Sequence, residues 1–208
     1  MTLQEEFISG CIEKKRLDIN RETLGLPDFL KSLKGGYNME FIVAKEEHID
    51  EMMEITDAAK RQLKNLGLDQ WQKGYPSREV WESDAKLGCT QLAVEDGKIM
   101  GIFAFQTTPD ASYYEIDGKW LTDGVYASMH RVCVAEMAKG KGVAGQMFAH
   151  GFEMAKKLGL TSMRIDTHPG NLPMQRALSK AGFEACGEIR LAGGCEDGDL
   201  RIAFEKVL

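Results

Sequence analysis

One face of the chain repeats at near-helical spacing through Ile49, Met52, Thr56, Ala59, Leu63 and Leu66, and Gly67 follows as a residue suited to close a helix. Just before it, Glu40 to Ala44 (EFIVA) is a short run of strand formers. Trp71 to Pro76 is aromatic and irregular, which predicts a loop. Ser77 then stands as the N-cap of a second helical pattern through Val80, Trp81 and Ala85. Two strand-like runs come next, Thr90 to Glu95 and Lys98 to Gln106. Asp96-Gly97 between them tolerates the positive φ values of a tight two-residue hairpin turn.

Residues 107–124 are polar and turn-rich, with Tyr113, Tyr114 and Trp120 interspersed. Tyr126 to Val134 reads as a strand. Gly142 to Leu158 reads as a helix with Met147, Gly151, Met154 and Leu158 on one stripe, and Ser162 to His168 as a strand. Asn171 can cap a further helix with Pro173 in its first turn, Gly182 ends that helix, and strands near Phe183–Arg190 and Leu200–Val207 finish the chain. This order predicts an α/β fold, a mixed sheet covered by helices on both faces. Residues 1–38 carry two short helical patterns, Leu3 to Leu17 and Asp28 to Leu33, before a break at Gly35-Gly36. They read as a helical N-terminal extension to a domain spanning 39–208.

Composition narrows the function classes. The 208 residues are 43% hydrophobic and 28% charged, a globular profile with ample material for one core. The net charge of −6 disfavours broad contact with nucleic-acid backbones. No apolar run approaches the roughly 20 residues of a membrane span. The first residues lack the basic and apolar blocks of a signal peptide, so the expected location is the cytoplasm. Five cysteines and four histidines show no metal-ligand spacing. Free thiols and no metal site are therefore expected.

The most informative stretch follows the 126–134 strand: Lys139-Gly140-Lys141-Gly142-Val143-Ala144-Gly145, leading into a helix. Glycines allow close backbone approach, and the first turn of a helix presents unpaired N–H groups at a positive dipole end. Together they can cradle phosphate. Gly140, Gly142 and Gly145 spell G-x-G-x-x-G, with Asp166 at the end of the following strand, so a dinucleotide fold has to be weighed. Against it, Ala135 to Lys139 separate strand from turn, the motif falls late in the chain, and the Asn171…Gly182-Phe183 block has no role in that fold.

Val132-Cys133-Val134 followed by Lys139-Gly140-Lys141-Gly142-Val143-Ala144 resembles the cofactor motif of the GNAT family of N-acetyltransferases, Gln/Arg-x-x-Gly-x-Gly/Ala, with Lys139 where Gln or Arg is usual. The next family motif, approximately Asn-x-x-Ala-x-x-Leu-Tyr-x-Lys-x-Gly-Phe, resembles the run from Asn171 through Met174, Ala177, Leu178 and Lys180 to Gly182-Phe183. The resemblance covers roughly 39–207. It implies a mostly antiparallel central sheet splayed between two strands, here 126–134 and 162–168, with acetyl-CoA as cosubstrate in the opening. Backbone N–H groups of Lys139, Gly140, Lys141, Gly142, Val143 and Ala144 would hold the pyrophosphate. Val132 and Val134 would pair with the pantetheine arm. An N–H near Cys133 or Val134 would stabilise the oxyanion at the thioester carbonyl. Asn171 would contact the cofactor arm, cap its helix, or do both.

The implied chemistry is acetyl transfer by direct attack of an amine, with a small-molecule acceptor favoured. A protein or peptide acceptor and a non-catalytic CoA sensor are the alternatives. The family's usual acid is a Tyr, and Leu178 stands there instead, which leaves a water, a nearby Tyr or no acid. His130 is the leading base candidate: it lies on the strand entering the cofactor turn, its imidazole titrates near neutral pH, and a His at that place assists catalysis in one member of the family. A structural histidine is the competing role. Glu115, Glu136 and His168 are weaker candidates, and Cys133 lacks a base partner for covalent chemistry. Trp71, Tyr75, Tyr113, Tyr114 and Trp120 fall where an aromatic wall of the acceptor pocket would lie. Residues 1–38 are candidates for covering a sheet edge, for joining two copies as a homodimer, or for a disordered leader.

Overall fold

The structure is a computed structural model and describes residues 39–208. The expected N-terminal extension, residues 1–38, lies outside the described residues. Among the described residues eight strands form one sheet: β1 (Glu40–Val43), β2 (Thr90–Glu95), β3 (Lys98–Gln106), β4 (Asp117–Gly118), β5 (Tyr126–Val134), β6 (Ser162–Thr167), β7 (Glu184–Arg190) and β8 (Leu200–Val207). Their spatial order is β1-β2-β3-β5-β6-β8-β7-β4. Every neighbouring pair is antiparallel except β5 with β6. The α-helices among the described residues are α1 (Ile49–Asn65), α2 (Arg78–Leu87), α3 (Val143–Lys157) and α4 (Leu172–Lys180). Among the described residues no helix is long and apolar enough to cross a membrane.

Local chemistry places these elements much as the sequence suggests. Ser77 accepts from the Val80 N–H and caps α2. Asp96 and Gly97 take φ values of 49° and 74° between β2 and β3. Asn171 accepts from Met174 N–H and caps α4. Two apolar stripes shift from the expected ones. In α3 the buried residues are Val143, Met147, Phe148, Gly151 and Ala155, while Leu158 lies past the last turn and is 48% exposed. Leu66 is likewise the C-cap of α1 and leaves the buried face. The turn-rich 107–124 segment contains the short strand β4, which pairs with Gly187 and Glu188 of β7.

Helices cover both faces. A Cβ at Gly101 of β3 would meet Met147 and Val143 of α3. The next β3 residue, Ile102, opposes Cys133, whose thiol lies beside Thr56 of α1. Adjacent strand residues point to opposite faces, so α3 and α1 sandwich the sheet.

The decisive irregularity is in β5. Between the pairings Ala104 with His130 and Ile102 with Cys133, β5 carries one residue more than β3. That is a β-bulge. Arg131 sits there with φ 53°, a conformation unusual for a non-glycine residue. Its guanidinium is anchored by Asp84 of α2, by the Tyr75 hydroxyl at 2.6 Å, and by the faces of Tyr75 and Trp81. Past the third residue, β5 also loses β6: the parallel pairing covers only Tyr126 with Ser162, Ala127 with Met163 and Ser128 with Arg164. From there β6 continues on β8 alone.

Removing Asp84 would leave the buried Arg131 charge without its carboxylate. Asp84→Ala is expected to destabilise the fold by about 3 kcal/mol, read as a lowered urea midpoint. An unchanged midpoint would show that the bulge does not depend on this anchor.

Candidate active site

The opening begins where β5 and β6 part, and a cavity of about 390 Å³ occupies it. Along one wall runs the free edge of β5. Ala135 N–H bonds Met100 O on the β3 side. Main-chain groups alternate sides along an antiparallel strand, so the N–H and C=O of Val134 and Val132 face the opening, whereas those of Cys133 face β3. An extended ligand could therefore pair with Val132 and Val134 as an added strand.

At one end of this wall lies the glycine turn. Gly140 and Gly142 have φ of 76° and 77°, and an added Cβ on either would meet nothing within 4 Å. Their α-carbons therefore face open space. Gly142 is the N-cap of α3 without a side-chain cap, and the first bond within that helix runs from Gln146 N–H to Gly142 O. The N–H groups of Val143, Ala144 and Gly145 precede that bond and have no intrahelical acceptor. Lys139 is exposed and pairs with Glu136 at 3.4 Å. This geometry suits an anion of the size of a phosphate. Asn171, at the start of α4, also lines the cavity. Its Oδ1 is used by the Met174 cap, and its Nδ2 donates to Gln70 Oε1 at 3.3 Å.

The other end is acidic. His130 Nε2 lies 2.9 Å from Ser128 Oγ and 3.4 Å from Asp110 Oδ2. Burial, reinforced by the Arg131 charge, pushes the imidazole down to about 4, against the pull of Asp110. His130 is thus neutral at pH 7 and holds a proton weakly. Asp166, one of the last residues of β6, accepts from the Tyr113 hydroxyl at 2.8 Å and lies 4.0 Å from Arg201 Nε. Burial pushes its carboxyl up to about 6, against the Tyr113 hydrogen bond and the Arg201 charge. Arg201 is tied to Glu196 at 3.0 Å, and Glu196 also accepts from the Trp71 N–H. Thr167 is 1% exposed and lines the cavity, and its Oγ1 has no hydrogen-bond partner among the described residues.

The structure therefore brings His130, Val132, Cys133, Val134, Lys139, Ala144 and Asn171 to one cavity, with Gly140, Lys141, Gly142 and Val143 in the adjoining turn. It leaves others out. His168 pairs with Asp69 at 3.1 Å and accepts from Gly170 N–H, outside the cavity wall. Glu115 is exposed, and Glu136 serves Lys139. Burial pushes the Cys133 thiol up to about 12, so no thiolate is present for covalent chemistry. Leu178 is fully buried in the core and does not line the cavity. Of the five aromatics, Trp71 and Tyr75 line the cavity, and Tyr113 reaches it through Asp166. Tyr114 is 72% exposed, and Trp120 stacks on Arg164 instead. Asp110 and Asp166 are the functional candidates that sequence reasoning missed as such. Among the described residues no cluster of three or more metal-ligating side chains exists.

The family model for the GNAT family of acetyltransferases matches residues 49–183, and the chain belongs to that family, a family of acyltransferases. A GNAT-family acetyltransferase from Streptococcus agalactiae is similar at 30% identity with a TM-score of 0.73, over 83% of this chain and 98% of that one. Two more distant structures share the fold. A GNAT-family acetyltransferase from Listeria monocytogenes has 19% identity and a TM-score of 0.64, over 84% of this chain and 97% of its own. The PaiA N-acetyltransferase from Thermoplasma acidophilum, solved in complex with coenzyme A, has 14% identity and a TM-score of 0.60, over 82% and 99%. No curated protein matches the sequence.

The raised Asp166 pKa has a thermodynamic signature. The folded state binds a proton that the unfolded chain has lost between about pH 4 and 6, so this group's contribution to stability falls as pH rises through that window. Asp166→Asn keeps an oxygen for Tyr113 and removes the buried charge. It is expected to raise stability at pH 7 by about 2 kcal/mol, with the gain vanishing as pH falls to 4. A pH-independent difference in urea midpoint would contradict the assignment.

Proposed function

We propose that the protein binds acetyl-CoA in the opening between β5 and β6 and transfers the acetyl group to the amine of a small molecule by direct attack. The observation that carries this is the parting of β5 from β6 after Ser128, next to a glycine turn whose α-carbons face open space. Acetyl-CoA supplies an activated acyl group as a thioester. Main-chain amides of Lys139 to Ala144 hold its pyrophosphate, and the outward-facing groups of Val132 and Val134 pair with the pantetheine arm. The oxyanion donor narrows to the Val134 N–H, because Cys133 turns its main chain to β3. Asn171 adds its second Nδ2 hydrogen to the arm while capping α4.

Two side chains are placed to take the amine proton, His130 and Asp166, both on the cavity wall. Tyr75 is the phenol of that wall. Its oxygen accepts from Arg131 Nη1, which leaves its own proton free for the departing sulfur. Tyr75 therefore takes the acid's place that Leu178 cannot fill. A small acceptor is favoured over a protein chain because two loops tied together border the acceptor end. Trp71 N–H bonds Glu196, and Lys73 pairs with Asp199 at 2.8 Å. The four described cysteines are free thiols, which supports a reducing compartment, and the cytoplasm is the location we assign.

A glutamate at position 142 would place negative charge in the phosphate path on a backbone that disfavours side chains. Gly142→Glu is expected to weaken CoA binding at least about 100-fold by calorimetry, which is about 2.7 kcal/mol. Unchanged affinity in a folded variant would remove the turn from the site.

A further inference from the structure

The proposed acetyl transfer does not by itself say which amines enter. The charges around the acceptor end do. Arg131 is answered by Asp84, and Arg201 by Glu196 at 3.0 Å. Lys139 stands with the glycine turn and pairs with Glu136. Among the described residues no cationic side chain on the wall is left over for a carboxylate. Two carboxylates are left over. Asp110 keeps Oδ2 beside a neutral imidazole, and Asp166 sees Arg201 only at 4.0 Å, across a guanidinium already committed to Glu196. Their charges reach each other, since Asp110 disfavours ionisation of Asp166. A cation between them would relieve that repulsion.

Resting on the acetyl-transfer reading of this cavity, we propose that the acceptor is an organic cation with no carboxylate on the carbon bearing its nitrogen, that its ammonium docks between Asp110 and Asp166, and that Asp166 takes its proton. An α-amino acid would bring a third anion against two existing ones. Asp166 is better suited than His130 to hold the proton. The carboxylate, raised to about 6, approaches neutrality, while the imidazole, at about 4, does not. The groups facing Asp166 are Tyr113, Arg201, Asp110 and Glu196; the His130 ring lies 6.0 Å from that of Tyr113, and the Asp166 charge reaches Tyr75. Tyr113 is a positioning residue, because its hydroxyl holds Asp166 Oδ1 and leaves Oδ2 for the ammonium.

The step balances as follows. An N–H bond of the ammonium breaks and an O–H bond forms on Asp166. The nitrogen lone pair then forms the C–N bond as the C–S bond breaks. The sulfur leaves with the bonding pair and takes the Tyr75 hydroxyl proton, giving the thiol, and the second N–H proton of the nitrogen passes to the Tyr75 oxygen and restores the phenol. Asp166 finally returns its proton to solvent through the cavity.

The test uses the full chain with acetyl-CoA, thiol release as the readout, and matched acceptors with one amine that differ by one carboxylate: butylamine against norvaline, and phenethylamine against phenylalanine. The cation of the preferred pair is expected to exceed its amino acid at least about 100-fold in kcat/KM. Its kcat/KM should fall as pH drops through about 6. Asp166→Asn should abolish that limb and lower kcat about 100-fold, with CoA affinity by calorimetry unchanged and the urea midpoint not reduced. Asp110→Asn should act mainly on KM. Equal or better turnover of the amino acids, or an Asp166→Asn enzyme that keeps both rate and limb, would overturn the inference. Acetyl-CoA binding with no turnover of either cation would also overturn it, while leaving the cofactor site standing. Failure of the wild type to bind CoA at all would instead overturn the reading on which it rests.

Discussion

A sheet interior normally pairs every main-chain N–H and C=O, because an orphaned buried group costs about as much as a lost hydrogen bond. Here β5 breaks that rule on one edge. After Ser128 it has β3 on one side and an opening on the other. The break is held by the extra residue of the bulge, and the bulge is held by Arg131. A non-glycine residue at φ 53° persists only where its surroundings over-determine it. Those surroundings are an ion pair with Asp84, a bond to Tyr75 and two aromatic faces. The cavity, the outward amides of Val132 and Val134, and the approach to the glycine turn all depend on this anchor.

The cavity is electrically lopsided. One end has a helix N-terminus and Lys139; the other has Asp110 and Asp166. An anionic ligand and a cationic one would each find a complementary end, which orients both without a dedicated clamp. The acidic end is not free of cost to the fold. Asp166 is buried and holds its charge against desolvation, relieved only in part by Tyr113 and Arg201. Carboxylates in this state cluster at functional sites, because a purely structural role would be served as well by a neutral residue.

Much of this was legible in the sequence, and the limits are physical. The β2–β3 hairpin, β5, β8 and the Asn171 cap depend on alternation and turn chemistry within a few residues, and their positions agree with the pattern. The glycine turn was visible for the same reason. The bulge was not, because nothing in Tyr126 to Val134 marks an extra residue until its pairing with β3 is known. Asp110 sat in a segment that read only as polar. Asp166 drew notice only as the acid of a dinucleotide motif. The partners that define both come from 16 to 53 residues away in the chain. His130 was picked out for an imidazole that titrates near neutral pH, and burial beside Arg131 removes that property.

The loop after α1 shows how such long-range partners shape the site. Four ties fix it: Asp69 to His168, Gln70 to Asn171, the Trp71 N–H to Glu196, and Lys73 to Asp199. Two reach the β6–α4 connection and two reach the 191–199 loop. Each tie is modest alone, and the exposed ion pairs among them are worth little. Their effect is geometric. Trp71 is buried with φ 63°, a strained state that the Glu196 bond helps to hold. Glu196 in turn is committed to Arg201, which is why that guanidinium cannot turn to a ligand carboxylate. The loop that lines the cavity thus also helps set the sign of the charge it presents.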